Sequence, residues 1–521
     1  MGLGGRSAGL GGTASGRGGA AAQGGSVALG GSDTGEGGAG GASGGAGGAS
    51  NHDWYVDPLL GSDTNPGTRA LPFKTLTYAS QAAAGPGTIW LERGSFDATT
   101  EPRLAFVTDE PIASVCGDIS GIVIPEGVDV RGLSSESVTI SVQGRHGLCA
   151  RGSSFSKIVF ERTSLEGSLL EFDGGSGELR AASFQNFDGP SGNVTHGPLP
   201  SLILSAQSSI EWLAEPAEQS LGEGALASLK DQARLRVVGG QSRLFPLHQV
   251  SAQALFRVET AAVLQLSAVG LHGAKDRQHV AVAASGLDPL AMPSVSFTDH
   301  TLVEGFSNGC RIARSVRVSL ADSEFAGQSF AAVSGIPIFR DDRTSVRIER
   351  STLRENSYGA FVLGNNTTVR VADSVIEGNV GGLFLNVGSV SIESSRIVDN
   401  SGSGVHARAG SFSMRGTSLE RNGSGLTLEG DVLQADLGTA SDPGRNFFGS
   451  ARQNAEDSVT NLALNCSNDC FVNAAGNTWV PLVQGADKDG HYSAPAREPL
   501  DVDSGSGANY AVSSGTLRLA E

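Results

Sequence analysis

The chain has 521 residues, a formal net charge of −17 and an isoelectric point near 5.0. Glycine is abundant (74 residues) while methionine (3) and aromatic residues (6%) are scarce, which excludes a helix-rich enzyme built on Lys, Glu, Leu and Met. The acidic balance excludes nucleic acid as a partner, since phosphate binding needs a clustered basic surface, and no apolar run is long enough to be a transmembrane segment.

Residues 1–50 are almost wholly Gly, Ala and Ser, as in GGAGGASGGAGGAS. Such a segment has no apolar surface to bury and is expected to be a disordered tether, spanning about 40 Å as a flexible coil. MGLGGRS lacks the charged and apolar regions of a secretory leader, and Arg6 stands where a myristoylation signal needs Ser or Thr. A long tether suits an exported chain, so the expectation is an extracellular or cell-envelope protein whose signal sequence is missing from this end.

Residues 51–96 read as an N-terminal cap. They run strand (WYVD), Gly/Asn/Pro loop, one short amphipathic helix (Phe73–Ala84) and strand (TIWLERG). Within the loop, Asp57, Asp63 and Asn65 read as turn residues. YVDPLLGSDTNPGT followed by PFKTLTYA resembles the N-terminal signature of a bacterial domain-of-unknown-function family (DUF1565) of the pectate-lyase-like right-handed parallel β-helix superfamily. The resemblance implies an extracellular or envelope-associated β-helix, often linked to polysaccharides, and implies no particular reaction.

Residues 97–450 carry the coils. GIVIPEGVDVRG (121–132), SVTISVQG (137–144), KIVFERTSLEGSLLEF (157–172), ARLRVVGG (233–240) and ALFRVETAAVLQLSAVGLHG (254–273) alternate as half-buried strands do. Residues 185–230 break the period and are expected to form a long excursion, with a short helix around Pro216–Leu221. Ten to thirteen coils are expected in all, as an order of magnitude.

The repeat is clearest from 295 to 430. Its segments start at Val295, Val318, Val346, Val369, Val390 and Phe412, so successive spacings are 23, 28, 23, 21 and 22. Each opens with alternating apolar residues, such as Val346 and Ile348. Seven residues after each start comes another apolar residue: Leu302, Phe325, Leu353, Ile376, Ile397, Leu419. Ten residues after the starts from Val318 onward come Gln328, Asn356, Asn379, Asn400 and Asn422, then a third apolar run. Three strands in about 22 residues make one coil of an all-β, right-handed parallel β-helix, stacked at about 4.8 Å per coil. The asparagines are expected to take the left-handed turn between strands and to hydrogen-bond from coil to coil as a structural ladder. Residues 451–521 read as a C-terminal cap and tail.

Five cysteines are present. Cys466 and Cys470, in NCSNDC, are candidates for a local disulfide, and Cys116 with Cys149 for a second, which would fit an oxidising compartment. Cys310 should point inward as a small hydrophobe.

Chemistry is sparse. Lys275, in HGAKDRQH, is a candidate proton-abstracting base, but a protruding turn would look the same. Asp341 and Asp342, in FRDDR, lie in the extra residues of the 28-residue spacing, where a site could be added, although Arg340 and Arg343 could simply neutralise them. An inverting hydrolase would need two carboxylates about 6.5–9.5 Å apart. Asp487 and Asp489, in GADKDG, resemble part of a calcium loop without its far ligand and read better as a turn. The outward first-strand residues, among them Arg347, Glu349, Arg370 and Glu393, form a mixed-charge face without an aromatic platform for sugar. Trp479 and Tyr492 lie in the expected C-terminal cap, where packing is the default. No cofactor is expected, and calcium is the one metal the acidic turns could hold. The reading is an exported binding or structural module for a polysaccharide or cell-envelope component. The alternative is a polysaccharide lyase or hydrolase. The oligomeric state is not encoded in any pattern we find.

Overall fold

The computed structural model describes residues 52–105, 121–133, 138–144, 146–163, 168–185, 200–213, 218–221, 225–239, 241–244, 254–273, 279–336, 341–430, 434–439, 441–449, 461–466, 471–474, 476–479, 510–514 and 516–518. The predicted tether, Lys275, Cys116, Cys470, Asp487, Asp489 and Tyr492 therefore lie outside the described residues, as do the side chains of Cys466 and Trp479.

The chain is a right-handed parallel β-helix, with three short strands per coil and each strand paired in parallel to its equivalent one coil away. The first sheet begins in the expected cap itself. His52–Val56 pairs with Gly87–Leu91, which pairs with Val128–Gly132. The helix is Leu76–Ala82, shorter than the pattern suggests. Thr75 caps it, its side chain accepting from the Tyr78 N–H at 3.1 Å. Asp63 Oδ1 accepts the Lys74 and Thr75 N–H groups at 3.0 and 2.9 Å, and buried Glu101 accepts the Leu76 and Thr77 N–H groups. Burial pushes the Glu101 carboxyl above the usual range despite those donors. Asp57 likewise accepts from the Leu59 and Leu60 N–H groups, and the Asn65 side chain donates to the Pro72 carbonyl at 2.8 Å.

The expected helix at Pro216–Leu221 is not one. Glu218–Leu221 is a strand of the second sheet, paired with Gln241–Leu244. Backbone pairing to the next coil overrides a weak local preference. The supposed excursion is correspondingly smaller, because Leu202–Ser205, Ser209–Leu213 and Ala227–Leu229 are ordinary coil strands. Beyond residue 450, Leu462–Cys466, Phe471–Asn473 and Thr478–Trp479 extend all three sheets.

The interior is apolar, and in the later coils mostly aliphatic. Leu353, Ile376, Ile397 and Leu419 stand one above another with at most 1% exposure, as do Val346, Val369, Val390 and Phe412 at 2% or less. Each such side chain contributes about 2 kcal/mol by leaving water. Cys310 is one of these inward groups, and burial pushes its thiol up to about 12.

Two polar files line the turns. In the second, between second and third strands, Gln328, Asn356, Asn379, Asn400 and Asn422 stack while buried. The backbone N–H of each donates to the side-chain oxygen of the next, at 2.9, 2.8, 3.0 and 3.1 Å. Each asparagine Nδ2 also donates to a carbonyl of the preceding coil, for example Asn379 to Leu353 at 3.1 Å. The left-handed residue is not the asparagine. It is the residue before it: Gly327, Glu355, Gly378, Asp399 and Arg421 have φ between 50° and 66°. The asparagine is therefore free to turn its amide inward, which the sequence reading missed.

A second file lies at the first turn. The N–H groups of Ser323, Ser351, Ser374 and Ser395 donate to the hydroxyls of Ser351, Ser374, Ser395 and Thr417, at 3.2, 3.2, 3.2 and 3.3 Å. Each hydroxyl donates back to a carbonyl two residues earlier, as in Ser374 to Ala372 at 2.7 Å.

Candidate functional site

The outer faces separate structural polar groups from usable ones. On the first strand, the turn after it and the second strand, arginines are matched to carboxylates. Arg347 pairs with Glu349 (2.5 Å), Arg350 with Asp322 (2.8 Å), Arg354 with Glu324 (2.6 Å) and Arg370 with Glu393 (3.0 Å). The Arg350 guanidinium holds the Asp322 carboxyl below its usual range. These exposed pairs neutralise the face and leave it little specificity.

The third strand differs. In register, Arg311, Ser334, Phe361, Phe384, His406 and Thr427 form one outward column. Phe361 and Phe384 stack at 4.8 Å with 9° between planes, and His406 sits 4.7 Å from Phe384, tilted by 49°. Phe330 and Tyr358 flank the column. Phe330 lies 5.1 Å from Phe361, and Tyr358 lies 5.2 Å from Phe361 with 58° between planes. All five rings are partly exposed. Most meet their neighbours at an angle, so faces as well as edges reach solvent. His406 Nε2 is 3.1 Å from the Glu429 carboxylate, which fixes the ring. Sequence reading missed this patch because it examined the outward residues of the first strand. The signal was present as the aromatic two residues after Gly359 and Gly382.

A pocket of about 460 Å³ opens on the same coils, at the seam where the third strand runs into the first. Two irregularities build it. The long spacing carries Arg343 in, and strand Tyr358–Ala372 shifts register between Gly364 and Thr368. That bulge lifts Asn365–Thr367 over the next coil. Gly388 is required beneath it, because a Cβ there would lie 2.1 Å from the Asn365 carbonyl oxygen. Arg317, Ser345, Thr368 and Ser389 follow in register along the wall. Asp341 is exposed and Asp342 buried, and neither lines the pocket. The long spacing does build a cavity, but the charge it brings to the lining is a guanidinium.

A third polar cluster is buried on the outer face of the N-terminal coils. Glu171 accepts from His146 Nδ1 at 2.9 Å and from the Ser168 hydroxyl, while Asp173 pairs with Arg151. His146 belongs to one coil and Ser168 and Glu171 to the next, so these bonds staple adjacent coils. Cys149, in the same region, is disulfide-bonded. Arg162 is fully buried beside Ser201 (3.2 Å), and burial pushes it down to about 9. Among the described residues no group of three or more His, Cys, Asp or Glu is placed to hold a metal ion.

One family model agrees with the architecture of the later coils. The family described as the right-handed beta helix region matches residues 290–436. The uncharacterized protein YwoF of Bacillus subtilis is 31% identical over 98 residues, which is 19% of this chain and 20% of that protein. The chain thus spans about a fifth of that relative's length. Among solved structures, the A-module of the Azotobacter vinelandii mannuronan C-5 epimerase AlgE4 is 12% identical, with a TM-score of 0.29 over 88% of this chain and 100% of that one. A mannuronic acid-specific polysaccharide family 6 lyase from human gut microbiota is 8% identical, with a TM-score of 0.27 over 84% and 93%. No helix among the described residues is long and apolar enough to cross a membrane.

Proposed function

We propose that this chain is an exported glycan-binding β-helix that uses the outer face of its third sheet, between Phe330 and His406, as the binding surface. The observation that carries the reading is the patch of five partly exposed rings on successive coils of one face. Sugars present C–H faces to rings and hydroxyls to polar flanks, and the exposed Arg311 lies in the same column. Four successive coils place the rings over about 15 Å, the reach of a few sugar units. Export is supported by the disulfide at Cys149, which needs an oxidising compartment to persist. The DUF1565-like cap sequence fits an envelope location.

The test is retention of the full chain on a panel of neutral and acidic polysaccharides, with and without calcium. Wild type should be retained on at least one member. Phe361→Ala and Phe384→Ala should each weaken retention roughly three- to tenfold. An empty panel, or a double variant that binds like wild type, would sink the reading. Release of reducing ends or unsaturated products in the same incubations would convert the binding surface into an enzyme's.

A further inference from the structure

We infer that the seam pocket is an oxyanion site, built to take one carboxylate, sulfate or phosphate group carried on a hydroxyl-rich ligand. It lies beside the ring patch but does not depend on it.

The argument starts from unmatched charge. In the coils around the pocket, Arg347, Arg350, Arg354 and Arg370 each face a carboxylate. Arg317 and Arg343 are the pocket's two cations, and among the described residues no carboxylate pairs with either. No acidic side chain lines the cavity. What sets these two apart from other unpaired arginines is that both line one cavity, in a chain of net charge −17. Guanidinium forks match the paired oxygens of carboxylate, sulfate or phosphate, and such charge-assisted bonds are about twice as strong as neutral ones.

Much of the remaining wall carries hydrogen-bonding groups that suit hydroxyls, with Met292 as its apolar side chain. Asn365, Ser345 and Ser389 line it. Thr367 also lines it, is only 1% exposed, and has an Oγ1 with no hydrogen-bond partner. A buried, unpartnered hydroxyl is destabilising, so its retention at a pocket wall calls for a use. The volume, about 460 Å³, lies within the range of about 300–1,000 Å³ typical of small-ligand sites.

The backbone makes the pocket deliberate in a physical sense. The coil after it pairs Val387 with Ala409 and Ser389 with Ser411 without interruption. The bulge at Asn365–Thr367 spends two extra residues and fixes position 388 as glycine. Flattening it would close the cavity and simplify the fold.

Titration calorimetry of the full chain at low ionic strength tests this, with sodium sulfate, inorganic phosphate, glucuronate and glucose as separate probes. At least one oxyanion should bind, and glucose should not. Arg317→Gln and Arg343→Gln should each weaken that binding about tenfold and the double variant abolish it, with melting temperatures near wild type. Arg370→Gln, one coil on and already ion-paired, should leave it unchanged. Binding of sulfate, phosphate or glucuronate alone identifies which oxyanion the site prefers. No oxyanion binding, binding indifferent to both arginine variants, or equal binding of glucose would each overturn the inference. None of those results bears on the ring patch, whose variants are read on polysaccharide retention.

Discussion

The coils between Val346 and Asn422 and those between Ile122 and Leu213 stack in the same way but hold themselves together differently. In the later coils each position has one occupant type: aliphatic inside, hydroxyl at the first turn, asparagine at the second. Among the described residues of the earlier coils these files do not continue. The interior is filled by rings instead, with Phe160 and Phe184 stacked at 5.2 Å and Trp212 edge-on to Phe184 at 5.2 Å. Charged groups are buried there as well, Arg162 and Glu171 among them. Repetition lets a short side chain satisfy the neighbouring coil's backbone at every level. Where it lapses, each coil needs its own combination of volume and buried polar contacts.

That contrast can be broken or sharpened by mutation. The largest effect is expected at Asn379→Ala, which removes the acceptor of the Asn356 N–H and two donated bonds at once. Urea denaturation should show a loss of about 3 kcal/mol. A loss below about 1 kcal/mol would mean that the file decorates the coils and does not hold them.

Arg162→Met, in the irregular region, should go the other way. It replaces a buried cation that has Ser201 as partner, and a gain of about 2 kcal/mol is expected at neutral pH. Burial brings the folded group down to about 9, well below its value in the unfolded chain. The native state therefore releases its proton first, so wild-type stability rises between those values and the variant's advantage shrinks. Denaturation at neutral pH and near pH 10, about one unit past the folded value, checks both claims. A destabilised variant would show that Arg162 is firmly held.

Ser374→Ala should cost about 1 kcal/mol, less than Asn379→Ala because one accepted bond and one short local donated bond are lost, against one accepted and two donated. A cost equal to that of Asn379→Ala would make the two files equivalent. The smallest effect is expected at Glu355→Gly, where φ is 57°. Relief of the left-handed strain should slightly exceed the added unfolded-state freedom, for a net gain of up to about 1 kcal/mol in thermal melts.

Much of the later region was legible because its period writes the structure twice over, in spacing and in residue type. The asparagine file stood out at ten residues after each start. The hydroxyl file, at five residues after Val318, Val346, Val369, Val390 and Phe412, was just as regular. It went unread because serine and threonine are ordinary turn residues. Assigning the left-handed conformation to the asparagines was reasonable from preference alone, but Glu355 and Arg421 take it because the coil geometry requires it there. Glu218–Leu221 was misread because pairing partners 23 residues away are invisible to local propensity. The seam pocket was half legible. The long spacing announced extra chain, while the convergence of Arg317, Arg343 and Thr367 depends on a bulge that no spacing reveals.

The asparagine file has a consequence for how such a chain can change length. Asn379 asks of the level below only that an amide oxygen be there, and Asn400 and Asn422 offer the same one. Excising Val390–Ser411 would slide Asn422 beneath Asn379 with every inward residue still facing inward. Cutting half that stretch would strand the amides and invert the strands. Insertions and deletions in this part of the protein should therefore come in whole levels, like storeys added to or taken from a tower, while the earlier coils, each fitted to its own neighbours, have no interchangeable storey to lose.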